Sequence, residues 1–155
     1  MIESSINQRI VDEALSWEGT PWVHNQCVKG EGVDCAQFLV GVARNCGLIP
    51  DSFSPKPYNI QRGLHDTHSL LREYLSQFCL EIEFAEAQAG DILLFRYDNS
   101  EGHAGIYLGS SRFIHAHARE GKVVISNLEN YRKHHLSSAW RFRQGIIQNQ
   151  ENNVV

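Results

Sequence analysis

The stretch Gly32-Val33-Asp34-Cys35-Ala36-Gln37-Phe38-Leu39-Val40-Gly41-Val42-Ala43-Arg44-Asn45-Cys46-Gly47 constrains this fold more than any other. It reads as a helix over residues 34–46 with a cysteine in its first turn. Asp34 suits the N-cap, since a carboxylate there accepts a hydrogen bond from an unpaired first-turn amide. Phe38, Leu39, Val42, Ala43 and Cys46 recur at helical spacing and define an apolar, core-facing stripe. Gly47 supplies the left-handed residue that ends many helices. Cys35 then lies where helix amides converge and the macrodipole is positive. That setting favours a thiolate and can lower a cysteine pKa from about 8.5 to roughly 3.5–7.5. On the helix alone, the commoner role of a free cysteine, a small buried hydrophobe, fits better. Residues further along the chain change that balance.

At 155 residues the chain makes one domain with a single sizeable core. Residues 1–148 form the expected domain and 149–155 a polar tail. A net charge of -4 with no basic run argues against nucleic-acid partners. No apolar stretch is long enough for a membrane span, and Met1-Ile2-Glu3-Ser4-Ser5 lacks the basic-then-apolar pattern of a signal peptide. Synthesis in the cytoplasm is expected, with any export by another route. Cys27, Cys35, Cys46 and Cys79 include no Cys-x-x-Cys pair and no zinc-finger spacing to histidine, so neither disulfides nor a cofactor is expected. A zinc site assembled from scattered residues is the one metal arrangement left open.

Taken in order, Ser5 caps a first helix with Ile6, Ile10, Val11, Ala14 and Leu15 on one face, ended by Gly19 and Pro21. A polar loop over 23–33 leads to the cysteine helix. A connection over 48–65 holds Pro50, Pro55 and Pro57, which exclude regular structure; its length suits a cleft-lining role. Asp66 or Thr67 caps a third helix bearing Leu70, Leu71, Tyr74, Leu75 and Phe78. The period then changes to two. Leu80, Ile82 and Phe84 alternate with Glu81 and Glu83 in a half-buried strand. Further strands are expected over 92–95, 103–108, 112–116, 122–126 and 139–142, with turns at 89–91, 98–102 and 109–111. Helices first and an antiparallel sheet of five to six strands after them is the α+β pattern.

Within that sheet, His103, Gly105 and Tyr107 share one strand face, and Phe113, His115 and His117 share a face of the next strand. Gly105 bares the backbone beside His103, so the cysteine helix could pack there and bring Cys35 to His103. A cysteine nucleophile needs a base, and the base needs a third polar group to fix its ring. Cys35, His103 and His115 suit those roles in that order, with His117 the competitor for the third. A lone strand histidine is more often structural, and His24, His65, His68, His134 and His135 are taken as structural or solvated.

The segments Gly19-Thr20-Pro21-Trp22, Val33-Asp34-Cys35, Ala89-Gly90-Asp91-Ile92-Leu93-Leu94-Phe95, Gly102-His103-Ala104-Gly105-Ile106-Tyr107-Leu108-Gly109 and Phe113-Ile114-His115-Ala116 resemble, in this order, the NlpC-type peptidases. These are papain-like cysteine peptidases of bacterial cell walls. Thr20-Pro21-Trp22-Val23-His24 with Val28-Lys29-Gly30 looks most like the branch found among phage-tail and gene-transfer-particle proteins. The resemblance implies a papain-like fold, Cys35 as nucleophile, His103 as base and His115 as third residue. It implies hydrolysis of peptidoglycan stem peptides, often next to D-glutamate and diaminopimelate, and phage-tail proteins as partners. The order of cysteine before histidine favours the peptidases over the related permuted lipid acyltransferases. Trp22 stands where the family usually has tyrosine, and Ala36-Gln37 where it commonly has Ser-Gly. Trp22, Asp34 and Gln37 are the expected substrate-binding residues, Gln37 reshaping the groove. Three functions fit: a peptidoglycan peptidase or amidase, a non-enzymatic tail or wall-binding module, and an acyl-transfer enzyme using the same dyad.

Overall fold

Residues 5–55 and 70–144 are described in the computed structural model. Helix α1 (Ile6–Leu15) begins at Ser5, whose hydroxyl accepts from the Gln8 amide. It buries Ile6, Ile10 and Ala14. Leu15, expected on that stripe, lies one position round the helix from Ala14 and is exposed. The loop expected over 23–33 is in part a hairpin of β1 (Cys27–Val28) and β2 (Gly32–Val33). Lys29 pins this hairpin to α1: its Nζ meets Glu13 at 2.8 Å and Ser16 Oγ at 2.6 Å, above the Trp17 ring.

Helix α2 (Cys35–Asn45) is capped by Asp34, which accepts from the Gln37 amide at 2.9 Å. It is buried continuously from Ala36 to Ala43, on more than the expected stripe, because it packs on α1, β1 and the main sheet. A Cβ at Gly41 would lie 2.5 Å from the Trp17 ring, so only glycine lets that ring seat. Gly47 ends the helix at φ +71°.

Of the proline-bearing connection, only the part to Pro55 is described; the rest, and the caps expected at Asp66 or Thr67, lie outside the described residues. Helix α3 (Leu70–Phe78) buries Leu71 and Leu75 and runs directly into β3 (Cys79–Ile82). That junction fixes the strand's phase. Cys79 turns inward and Leu80, expected inside, is 46% exposed. Phe84 falls in a single 3-10 turn, Phe84–Glu86, instead of extending the strand.

The remaining strands are β4 (Ile92–Tyr97), β5 (Ser100–Gly109), β6 (Arg112–His117), β7 (Lys122–Asn127) and β8 (Leu136–Phe142), with an unanticipated short helix α4 (Glu129–Arg132) before β8. They form an antiparallel sheet in the order β3-β8-β4-β5-β6-β7. Strand β5 starts earlier than expected, since Asp98-Asn99 alone make the turn and Tyr97 pairs with Ser100. Ser110 and Ser111 form the next turn with φ of +53° and +59°, the left-handed pair that matches hairpin twist.

Alternate residues divide the sheet's two faces. Ile92, Leu94, Ala104, Ile106, Ile114 and Ala116 join α1 and α2 in the main core. Leu93, Phe95 and Phe113 form a second cluster with Leu128 and Tyr131 of the α4 region. His103 and His115 belong to this second face, their rings against Phe95 (5.7 Å) and Phe113 (4.3 Å). The cysteine helix therefore packs on the face opposite to the one Gly105 suggested. What needs Gly105 bare is the neighbouring strand: a Cβ there would lie 2.8 Å from Phe113 Cδ2 and 3.1 Å from His115 Cβ. Among the described residues no helix is long and apolar enough to cross a membrane.

Candidate active site

Although α2 and the histidines occupy opposite faces, the helix start reaches round the end of β5. Cys35 Sγ donates to the Gly102 carbonyl at 3.6 Å, and the Ala104 backbone N–H also faces the sulfur. The thiol thus lies against the backbone on either side of His103. The His103 ring sends Nε2 to His115 Nδ1 at 2.7 Å, and His115 sends Nε2 to Ser126 Oγ at 2.8 Å. With Nε2 of His103 engaged, Nδ1 is its remaining ring nitrogen.

Burial governs the charges. It pushes His103 down to about 4, with the neighbouring His117 adding to the effect. His115 is fully buried and driven to about 2 by burial and then by His103 and His117. Both rings are neutral at neutral pH. Cys35 is pushed up to about 12 by burial first and the Asp34 carboxylate second, against the pull of nearby backbone N–H groups. The thiolate expected from the helix N-terminus is overridden, and the resting sulfur is a thiol donating to a carbonyl.

Asp34 is 1% exposed, and its carboxylate accepts from the Gln37 amide and from the Asn25 amide at 2.6 Å, with His24 Nδ1 at 3.7 Å. Gln37 is 9% exposed, its carbonyl accepting from Cys27 Sγ at 3.3 Å under the hairpin. Trp22 is half-buried, held by its amide to the Gly121 carbonyl at 2.8 Å and stacked on His24. Trp22, His24 and Asp34 are thus gathered beside the start of α2. On the histidine side, Tyr97 stands edge-on to His103 and stacks on His135 at 4.2 Å.

His117 does not bridge to His103. Its Nδ1 accepts from the Glu120 amide at 3.0 Å, and its ring lies 6.3 Å from His103 and 5.0 Å from His115. His134 is exposed, and His65 and His68 lie outside the described residues. Cys27, Cys46 and Cys79 are free thiols raised by burial. Among the described residues no group of three or more His, Cys, Asp or Glu side chains is arranged to hold a metal.

Gly102 and Ser126 are the groups that sequence reasoning missed. Gly102 reads as the end of a turn. Ser126 reads as one more strand residue, and only the β6–β7 register, with Phe113 opposite Ser126, sets it diagonally beside His115.

Among curated relatives, the murein DD-endopeptidase and LD-carboxypeptidase MepS of Escherichia coli K12 is 25% identical over 136 residues, covering 88% of this chain and 63% of its own length. The gamma-DL-glutamyl hydrolase of Bacillus subtilis is 32% identical over 151 residues, covering 94% of this chain and 32% of its own. The chain therefore spans under two thirds of either relative. The crystal structure of the NlpC/p60 domain of the peptidoglycan hydrolase SagA superposes with a TM-score of 0.60 at 20% identity, covering 88% of this chain and 98% of that one, and so shares the papain-like α+β fold. The sequence pattern of the NlpC/P60 family matches residues 17–141, most of the described chain; this protein belongs to the NlpC/P60 family.

Proposed function

We propose that this chain is a cysteine peptidase that hydrolyses peptide stems of bacterial peptidoglycan, at a bond next to D-glutamate and diaminopimelate. The observation that carries the proposal is the 2.7 Å bond between His103 Nε2 and His115 Nδ1, made beside a thiol already seated on the Gly102 carbonyl. Family membership and the names of the relatives support it.

In the proposed reaction, His103 Nδ1 takes the Cys35 proton as the sulfur attacks the scissile carbonyl carbon. The Cys35 backbone N–H donates to the resulting oxyanion. His103 then passes that proton to the leaving amine nitrogen, and a thioester remains. Water gives a proton to His103 and its oxygen to the carbonyl carbon; the C–S bond then breaks, the new carboxylic acid leaves, and His103 returns the proton to the sulfur. His115 holds the His103 ring throughout. Trp22, being half-exposed, meets the peptide directly. Asp34 and Gln37 serve the same wall from within, Asp34 by fixing the helix start and Gln37 by filling the floor under the hairpin. Association with phage-tail proteins is proposed on the Thr20–His24 and Val28–Gly30 residues alone, as a route of delivery.

Digestion of purified muropeptides, read by mass spectrometry, tests the proposal. A cleaved stem with a new amine and a new carboxylate is expected. A chain that binds muropeptides without cleaving them is a wall-binding module instead. Acyl transfer to an added amine without net hydrolysis marks an acyl-transfer enzyme.

A further inference from the structure

We propose that Ser126 is a positioning residue for the nucleophile pair, its hydroxyl holding the outer nitrogen of His115 so that His103 can accept and keep the Cys35 proton. This rests on the dyad proposed above. The geometry runs in one line: His103 Nε2 to His115 Nδ1 at 2.7 Å, then His115 Nε2 to Ser126 Oγ at 2.8 Å.

Proton counting gives the line a direction. When His103 takes a proton on Nδ1, its Nε2 also carries one, and that N–H points at His115 Nδ1. His115 Nδ1 must then be a lone pair. Neutral imidazole carries a single N–H, so the His115 proton sits on Nε2 and points at Ser126. The serine oxygen accepts it. A side chain without a lone pair cannot.

Among the described residues Ser126 is the hydrogen-bond partner of His115 Nε2, and the His117 ring, 5.0 Å away, spends its Nδ1 on the Glu120 amide. His115 is fully buried, with the Phe113 ring at 4.3 Å and the Tyr131 ring at 6.0 Å. A buried N–H left without an acceptor is costly. Deprived of Ser126, His115 escapes that cost by moving its proton to Nδ1, which donates to His103 Nε2. The His103 proton is then on Nδ1, facing Cys35, and the base is lost. Ser126 thus suppresses the wrong tautomer of a residue it does not touch.

The test uses two substitutions of equal shape. Ser126→Thr keeps the hydroxyl; Ser126→Val replaces it with a methyl. Two readouts are taken: alkylation of Cys35 by iodoacetamide across pH, followed by mass spectrometry, and turnover of muropeptides. For Ser126→Val, alkylation at neutral pH and kcat are both expected to fall about tenfold, the loss of one buried hydrogen bond. KM is unchanged and the alkylation profile moves to higher pH. Ser126→Thr stays within roughly twofold of wild type in both. Equal rates for the two variants, whether both high or both low, overturn the role of the hydroxyl. His103→Ala is the control. If Cys35 alkylates in it as in wild type, the dyad itself fails and the Ser126 proposal falls with it; if alkylation drops while Ser126→Val matches wild type, only the Ser126 proposal is overturned.

Discussion

Strands β5 and β6 send alternate residues to two faces that have become different materials. On the helix side, Ala104, Ile106, Ile114 and Ala116 meet Phe38, Leu39 and Val42 in an alkyl-rich core. On the other side, Phe95, Phe113 and Tyr131 surround His103 and His115 with ring edges. Alkyl packing needs only volume and shape. A buried imidazole needs a partner for each nitrogen, and His115 has one on each side. The aromatic face therefore keeps the rings neutral and oriented, while the alkyl face fixes the helix whose first residue reaches round to the Gly102 carbonyl beside them. Separating the alkyl core from the histidine pair takes one residue of phase.

The largest expected effect comes from the thiol that joins the two faces. Cys35→Ala should reduce muropeptide turnover by about 10^4-fold or more while leaving urea stability within about 1 kcal/mol. Wild-type turnover in this variant would refute the nucleophile. Next comes the aromatic face itself. His115→Ala should lower kcat about 10²–10³-fold, less than Cys35→Ala, because His103 keeps its place against Phe95 and loses only orientation and tautomer. His117→Ala should cost no more than about threefold, since its Nδ1 serves the Glu120 amide instead of His103. Steady-state rates on the two histidine variants decide between them; a reversed ranking means that His117 is the third residue.

How much of this is legible in the chain depends on how local the cause is. Ser5 and Asp34 announce their helices because a cap is made within three residues. The partnership of His103 and His115 follows from strand parity across a short hairpin. The face chosen by α2 does not, because Gly105 advertises only that something comes close; the identity of that something, Phe113 and His115, is set by sheet register. Leu80 misleads because no glycine or proline separates α3 from β3, so nothing in the sequence marks the phase. Asp34 reads as a cap and is one, but the Asn25 amide that its carboxylate also accepts arrives from the preceding loop, a contact that the sequence does not show. The neutral thiol at Cys35 is equally hidden, since burial, not the helix, decides its charge.

The alkyl face makes the converse prediction. Ile114 is fully buried there, between Phe113 and His115 in sequence but on the opposite side. Ile114→Ala should cost about 3 kcal/mol of stability, measured by urea unfolding. Its kcat per folded molecule should stay within roughly twofold. If the rate collapses while the stability loss is small, the two faces are not independent.

A smaller loss of stability than at Ile114 is expected at the seam where β5 begins. Glu101, two residues before His103, is 4% exposed and takes Arg72 of α3 bidentately at 2.7 and 3.1 Å, with Ser137 and Ser138 hydroxyls at 2.8 and 3.1 Å. Burial alone would raise its pKa, but these hydrogen bonds and the guanidinium outweigh burial and hold it below the ordinary value. A lowered carboxylate stabilises the fold above its unfolded pKa, and that stability is lost as pH falls through the folded one. Removing a partner from a fully buried pair costs about 3–5 kcal/mol. Arg72 is 38% exposed, so solvent screening reduces the expected cost of Glu101→Gln to about 1–2 kcal/mol at neutral pH. Urea unfolding of both proteins from pH 7 downward reads the sign. The gap between wild type and Glu101→Gln should narrow as pH falls below the ordinary glutamate range of about 4.3, where the unfolded chain takes up the proton before the folded one does. A gap that stays constant into acid would mean that the network holds the start of β5, and with it the Gly102 carbonyl, by hydrogen bonding alone and without charge.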